Sequence, residues 1–312
     1  MPNWNQVLAE INDVKAQILN ASPLDIVRRK YLKQLADHTG RCTIAYYSGW
    51  LTRSPNTANL SINDADKNAF MATIHGEVRS KGLDLILHTP GGGLAAAESL
   101  VDYLRRMFGT DIRAIVPQLA MSAGTMIACS CKEIIMGKES NVGPIDPQLN
   151  GVAAHGVIAE FEEAIKQVAA NPACLPVWQT IIGKYHPTFL GECKNALDWS
   201  KEIVEAWLIS GMFKNKKASI ARAKAKKIVA KLSDHSATRS HARHIHIDDC
   251  IKMGLKIVPL ESNDTLQDLV LTTHHAYMQT FSEAPSVNKI VENEQGIAMV
   301  LHGGTPQVQP AK

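Results

Sequence analysis

Apolar residues at three- and four-residue intervals open the chain: Leu8, Ile11, Val14 and Ile18 lie within residues 5–37 and predict one or two helices there. The period then shortens. CTIAYYS (42–48) reads as a strand, and NDADKNAFMATIHGEVRSKG predicts a helix opening at Asn63 and closing at Gly82. LDLILHT (83–89) is almost continuously apolar, the pattern of a parallel strand covered on both faces. A helix follows over 95–109, a buried strand over 111–118, a short helix in GTMIACSC and a further strand over 133–137. Strand and helix alternate with short connections, which predicts βαβ units, a parallel sheet and the α/β class.

After SNVGPIDPQLNG the pattern turns mostly helical, over 156–170, 175–184, 195–210 and 216–232. A helix in IDDCIKMG and a strand in LKIVPLE return the chain to the sheet layer. From Glu283 the residues are polar and rich in Pro and Gly, which predicts a partly ordered tail. The expected organisation is an N-terminal helical segment (1–40), one α/β domain (41–282) with a helical subregion over about 156–235, and a polar tail (283–312).

Composition narrows the classes. The 312 residues are 45% hydrophobic and 20% charged, an ordinary soluble make-up with room for a sizeable core. A net charge of +3 does not argue for a nucleic-acid partner. Six scattered cysteines without a CxxC pair predict reduced thiols and a cytoplasmic setting. The N-terminus has no apolar signal-peptide core. Residues 114–131 are uncharged, but Pro117, Gln118, Ser122, Gly124 and Ser130 interrupt them. A spanning helix needs about 20 predominantly apolar residues, so the stretch reads as buried core.

The candidate chemistry begins at TPGGG (89–93), between a buried strand and a helix. A tight turn needs one glycine; three in a row provide bare backbone N–H groups at the positive end of a helix, an anion site. GxGxxG and GxxxxGK[ST] are absent, which leaves an oxyanion hole beside the phosphate reading. The next strand ends in AMSAG, with Ser122 at a strand-to-helix turn. Serine there reads as a helix N-cap or as a nucleophile whose following N–H completes the hole. The two motifs on successive strands favour catalysis.

These residues carry a resemblance. HTPGGGLAAAESLVDYL, VPQLAMSAGTMIACSCKEIIMGKESNVGPIDPQ and SHARHIHIDDCIKMGL resemble the serine dehydrogenase proteinase family, over roughly residues 20–280 and most specifically over 83–148. That family belongs with the Clp peptidases and signal peptide peptidase A on the ClpP/crotonase fold. The resemblance implies a serine peptidase acting on polypeptide, with Ser122 as nucleophile and an oxyanion hole from Gly91 or Gly92 together with Ala123. It also implies a homo-oligomer without cofactor, metal, nucleic acid or membrane span. Whether an ATPase or regulatory partner feeds it stays open.

The resemblance is incomplete at the base. Clp peptidases carry a histidine about 25 residues after the serine, where this chain has Ile145, Asp146 and Pro147. Signal peptide peptidase A-type enzymes use a buried lysine further along, which implies Lys184, with Lys166 second and His155 and His186 open. Asp146 is an orienting carboxylate or the cap of a turn in PIDP. The missing histidine also admits a non-catalytic scaffold, and the oxyanion hole alone admits crotonase-type acyl-CoA chemistry.

Two further features read as structural. His235, His241, His244 and His246, near Asp248 and Asp249, match no strong metal template and imply a structural or interface role. KNKKASIARAKAKKIVAKL (214–232) carries eight basic residues on a predicted helix, read as a solvated face able to steer an acidic partner.

Overall fold

The computed structural model describes residues 4–18, 20–54, 57–149, 151–234, 240–303 and 307–309. Two helices, α1 (Trp4–Gln17) and α2 (Pro23–Thr39), lead in. The bounds of α2 follow from local chemistry. Ser22 accepts from the Asp25 N–H, Pro23 supplies a preset first turn, and Gly40 closes it at φ +67° with its N–H on the Ala36 carbonyl.

The α/β core then follows: β1 (Cys42–Ser48), α3 (Asp66–Ile74), β2 (Leu83–His88), α4 (Leu94–Phe108), β3 (Ile112–Val116), β4 (Leu119–Ala120), α5 (Ala123–Ser130), β5 (Glu133–Met136) and β6 (Asn141–Val142). The helix expected over 63–82 is shorter. Gly76 at φ +87° takes a conformation that ends a helix, and Arg79–Lys81 form a separate 3₁₀ turn. A small hairpin, β7 (Gln148–Leu149) and β8 (Val152–Ala153), opens the helical region. That region holds α6 (Ala154–Ala170), α7 (Leu175–Ile182), α8 (Phe189–Ser210) and α9 (Ala218–Leu232). The chain ends with β9 (Ile245–His246), α10 (Ile247–Met253), β10 (Ile257–Pro259), α11 (Asp264–Glu283), β11 (Val287–Asn293), β12 (Ala298–His302) and β13 (Gln307–Gln309).

The main sheet has the order β10-β5-β3-β2-β1-β11-β12-β13, with β10 to β1 parallel and the last three strands antiparallel. Alternation along each parallel strand feeds two cores. Ile44, Tyr46, Leu85, Leu87, Ala114 and Ile134 pack on the face of α3, α4, α5 and α8, while Ala45, Tyr47, Ile86, Ile115 and Ile135 pack on the face of α2 and α11. This is a ClpP-like α/β fold. A second small sheet, β4-β6-β9, stands at the ends of the parallel strands.

The expected polar tail is corrected here. Residues 287–293 lie inside the sheet, paired antiparallel with β1. Their charged residues are buried because each has a partner. Glu292 accepts from Arg28 Nε at 2.6 Å, Arg29 Nε at 2.7 Å and the Tyr277 hydroxyl at 3.0 Å, and Lys289 pairs with Asp66 at 2.7 Å. The three consecutive basic residues Arg28, Arg29 and Lys30 are divided between core and surface. Arg28 is wholly buried, and Lys30 reaches Glu10. Among the described residues no helix is long and apolar enough to cross a membrane.

Burial alone would raise the Glu292 pKa, but Arg28 and Arg29 hold it below the usual carboxylate range. A depressed folded-state pKa contributes stability above the unfolded value and loses it as pH falls through the folded one. The ion pair thus supports the fold at neutral pH and weakens in acid below about pH 4. Arg28→Ala strands part of the Glu292 charge in the core and is expected to cost about 3–5 kcal/mol. Urea midpoints check this; a loss below about 1 kcal/mol would show that α2 does not depend on the pair.

Candidate active site

The site is assembled where β2 and β4 end. The Thr89 N–H donates to the Leu119 carbonyl at 3.0 Å and the Met121 N–H to the Thr89 carbonyl at 3.0 Å, so the two strand exits run side by side. Gly91 and Gly92 then cross between Ser122 and Ile62. A Cβ on Gly91, at φ +98°, would lie 2.6 Å from Ser122 Cβ and 2.7 Å from the Met121 carbonyl. One on Gly92 would lie 2.3 Å from the Ile62 backbone. The glycines are there because two backbones approach too closely for side chains.

Ser122 has φ +50° and ψ −117°, a conformation a non-glycine residue holds only when its surroundings impose it. It makes no side-chain cap bond to α5, so the N-cap reading fails. Thr125 braces the turn one helical step on: its hydroxyl donates to the Ala120 carbonyl and accepts from the Gly143 N–H, both at 2.8 Å. The partly exposed Ser122 hydroxyl forms no hydrogen bond among the described residues.

The glycine donors can now be separated. The Gly91 N–H is taken by the Thr89 hydroxyl at 3.1 Å and the Gly93 N–H by the Ile62 carbonyl at 2.9 Å. Gly92 and Ala123 keep N–H groups without a partner among the described residues. The Ala123 nitrogen lies 3.0 Å from where a Gly91 Cβ would sit, which places both donors beside Ser122. A cavity of about 120 Å³ opens here, walled by Gly92, Ser122, Ala123, Met126, Ile145 and Pro147, with Ser200 reaching in from α8. Among the described residues no titratable side chain lines it.

The residues implied as base are not brought to this cavity. Lys166 on α6 and Lys184 after α7 are exposed. His186 is exposed with Nδ1 on the Pro187 carbonyl, and His155 is half-buried in the first turn of α6. Asp146, by contrast, is 1% exposed, and its carboxylate meets His241 Nδ1 at 2.9 Å. The imidazole expected to be merely structural is thus paired with the carboxylate next to the cavity wall. Its only advance signal was Asp146 in the histidine position, which calls for an imidazole from elsewhere; β6–β9 pairing supplies it. His235 lies outside the described residues, and His244, His246, Asp248 and Asp249 are exposed. Among the described residues the group suited to hold a metal is Cys42, Glu77 and Glu294, at the opposite end of β1. There burial and the neighbouring Glu77 carboxylate raise the Glu294 pKa to about 7.

Comparison with known proteins bears on the same stretch of chain. Residues 54–174 match the model of the ClpP-like SDH-type serine proteinases, a span that contains the glycine turn, Ser122 and Asp146. Two uncharacterized proteins of Methanocaldococcus jannaschii are similar, one 30% identical over 51% of this chain and 55% of its own length. The other is 27% identical over 66% of this chain and 60% of its own length. The chain therefore spans less than two thirds of these relatives. A solved mutant of the 1510-N membrane-bound stomatin-specific protease aligns with 67% of this chain and 79% of that one, at 15% identity and a TM-score of 0.35. What the comparisons give is therefore a likeness over residues 54–174, the stretch that carries the glycine turn and Ser122, to the ClpP-like SDH-type serine proteinases.

Proposed function

We propose that this chain is a serine peptidase in which Ser122 attacks the carbonyl of a peptide bond and the Gly92 and Ala123 N–H groups hold the oxyanion. The observation that carries the reading is Ser122 itself: a left-handed backbone, no capping bond, and two unpartnered N–H donors at its side. A helix-capping or purely structural serine needs none of the three. Each preorganised donor is worth about 2.7–4 kcal/mol once negative charge develops on the carbonyl oxygen. Attack gives a tetrahedral intermediate, then an acyl-enzyme that water hydrolyses. Crotonase-type chemistry uses such a hole without an exposed strained hydroxyl, and so accounts for less of the geometry.

The lysine expectation enters this reading only with a condition. A lysine accepts the serine proton when burial keeps its amine neutral, and both Lys184 and Lys166 stand in water in a single copy. Covering them requires a second chain on the α6–α7 face. That face is apolar: Ile165 is 71% and Leu175 44% exposed around a hollow of about 730 Å³, and Val177 on α7 is 61% exposed. We propose that copies of the chain associate there, as expected of a closed homo-oligomer.

Two measurements test these statements. A fluorophosphonate probe should label the wild type and fail on Ser122→Ala and Ser122→Gly. Because glycine relieves the left-handed backbone, Ser122→Gly should also raise the unfolding free energy by about 1 kcal/mol. Labelling of Ser122→Ala would remove the serine from the mechanism. Light scattering should report a particle heavier than the 34.1 kDa chain, reduced to one chain by Ile165→Glu. A monomer before the substitution would refute association through α6 and α7.

A further inference from the structure

We infer that the basic helix α9 is a docking face for an acidic segment of the polypeptide substrate, holding it beside the Ser122 cavity; this rests on the serine-peptidase reading above. The cavity exerts no selection by charge, since among the described residues no titratable side chain lines it. Recognition of a charged substrate therefore falls to the surface around it.

That surface is of one sign. All eight Lys and Arg residues of 214–231 are exposed, and no Asp or Glu occurs between Glu205 and Asp234. Among the described residues none of the eight meets a carboxylate. Lys214 reaches the Thr110 hydroxyl, and the Lys224 ammonium lies 5.6 Å from the Phe213 ring centroid. Elsewhere on the surface Lys33 is paired with Asp37, Arg106 with Asp102 and Lys256 with Glu133. The fold turns the basic face outward because Ala221, Ala225, Ile228, Val229 and Leu232 are buried in the main core.

The helix ends at the cavity. The Ile145 N–H donates to the Leu232 carbonyl at 3.0 Å, and Ile145 belongs to the cavity wall. α8, which sends Ser200 into the same cavity, packs along α9. The 15 residues of α9 make about 22 Å of basic surface leading away from the wall. About seven residues of extended peptide cover that distance. Lys231 stands next to the residue that holds Ile145, and Lys217 precedes the first turn at the far end.

The chemistry selects among polyanions. α9 carries no Phe, Tyr or Trp, so unstacked bases find no platform on it. Of its apolar residues larger than alanine only Ile220 is exposed, so the helix has no apolar face to lay into a bilayer. Carboxylates on an extended peptide need neither feature: each ammonium meets them as a point charge on a flexible stem. Exposed pairs of this kind are individually weak and screened by salt, so they act on encounter and binding and leave the chemical step alone.

The test uses the full chain and two fluorogenic peptides with one cleavable core, flanked on both sides by glutamates in one and by glutamines in the other. At about 25 mM NaCl the acidic peptide should have a kcat/KM at least about tenfold higher, the difference lying in KM. At about 0.5 M NaCl the ratio should fall toward one. The variant Lys224→Gln/Lys227→Gln/Lys231→Gln should remove most of the ratio, and Lys224→Glu/Lys227→Glu/Lys231→Glu should invert it. Binding is read without turnover on Ser122→Ala, by the fluorescence anisotropy of a labelled acidic peptide; adding the three glutamine substitutions should weaken it about tenfold. A ratio near one at low salt, with wild-type Ser122 labelled by the fluorophosphonate, overturns the docking face and leaves the peptidase standing. A ratio that both triple variants preserve places the acidic contact elsewhere and also overturns it. Tighter α9-dependent binding of an oligonucleotide or a phosphatidylserine vesicle than of the acidic peptide overturns it in favour of that partner. A lower particle mass in the triple variants assigns α9 to contact between copies and overturns it too. If wild-type Ser122 is not labelled and neither peptide is cleaved, the peptidase reading falls and takes the docking face with it.

Discussion

The close approach of Gly91 to the Met121–Ser122 turn is the constraint on which the rest depends. Two parallel strands end side by side, and the chain leaving each must turn into a helix within a few residues. With a Cβ on Gly91 the two exits would collide at 2.6–2.7 Å. Without it they interlock. The Thr89–Met121 hydrogen bonds hold the exits in register, Ile62 clamps the outer side of the glycines, and Thr125 braces the far side against Gly143. Ser122 is held in a left-handed conformation because its neighbours on both sides are fixed. Backbone strain of this kind costs about 1–3 kcal/mol and persists only where surrounding structure over-determines it.

That over-determination draws on parts of the chain remote in sequence. The parallel strands are flanked by antiparallel strands from the C-terminal end, and β11 is fastened to α2 by Arg28, Arg29 and Glu292. The buried pair is not a source of surplus stability, since desolvating both charges offsets much of their attraction. Its effect is to fix which helix covers which strand. An unpaired Glu292 would be strongly disfavoured in the core, so α2 docks where its guanidinium groups can meet that carboxylate.

Proton transfer follows the same dielectric argument. An ammonium must be buried to lose its proton near neutrality, whereas an imidazole already titrates near pH 6.5 and needs only orientation. A carboxylate buried beside it supplies orientation at short range. In a single copy of this chain the lysines are solvated and the histidine–aspartate pair is in place.

Residues with local consequences were legible in the sequence. The near-continuous apolar strands, the glycine turn, the serine after the next strand and Gly40 at the end of α2 each express a rule acting over a few residues, and the α/β class with its parallel sheet follows from their alternation. The resemblance placed Ser122 and the glycine donors, but it could not say which N–H was free, since that depends on Thr89 folding back onto Gly91. Polar composition suggested a tail after Glu283, yet Lys289 and Glu292 are buried because partners from residues 66 and 28 reach them. His241 lies ninety-five positions from Asp146, and only the β6–β9 pairing joins them. Sequence determines what each short segment can become; the pairing of distant segments decides which polar groups are shielded, which are spent on one another, and which stay free to react.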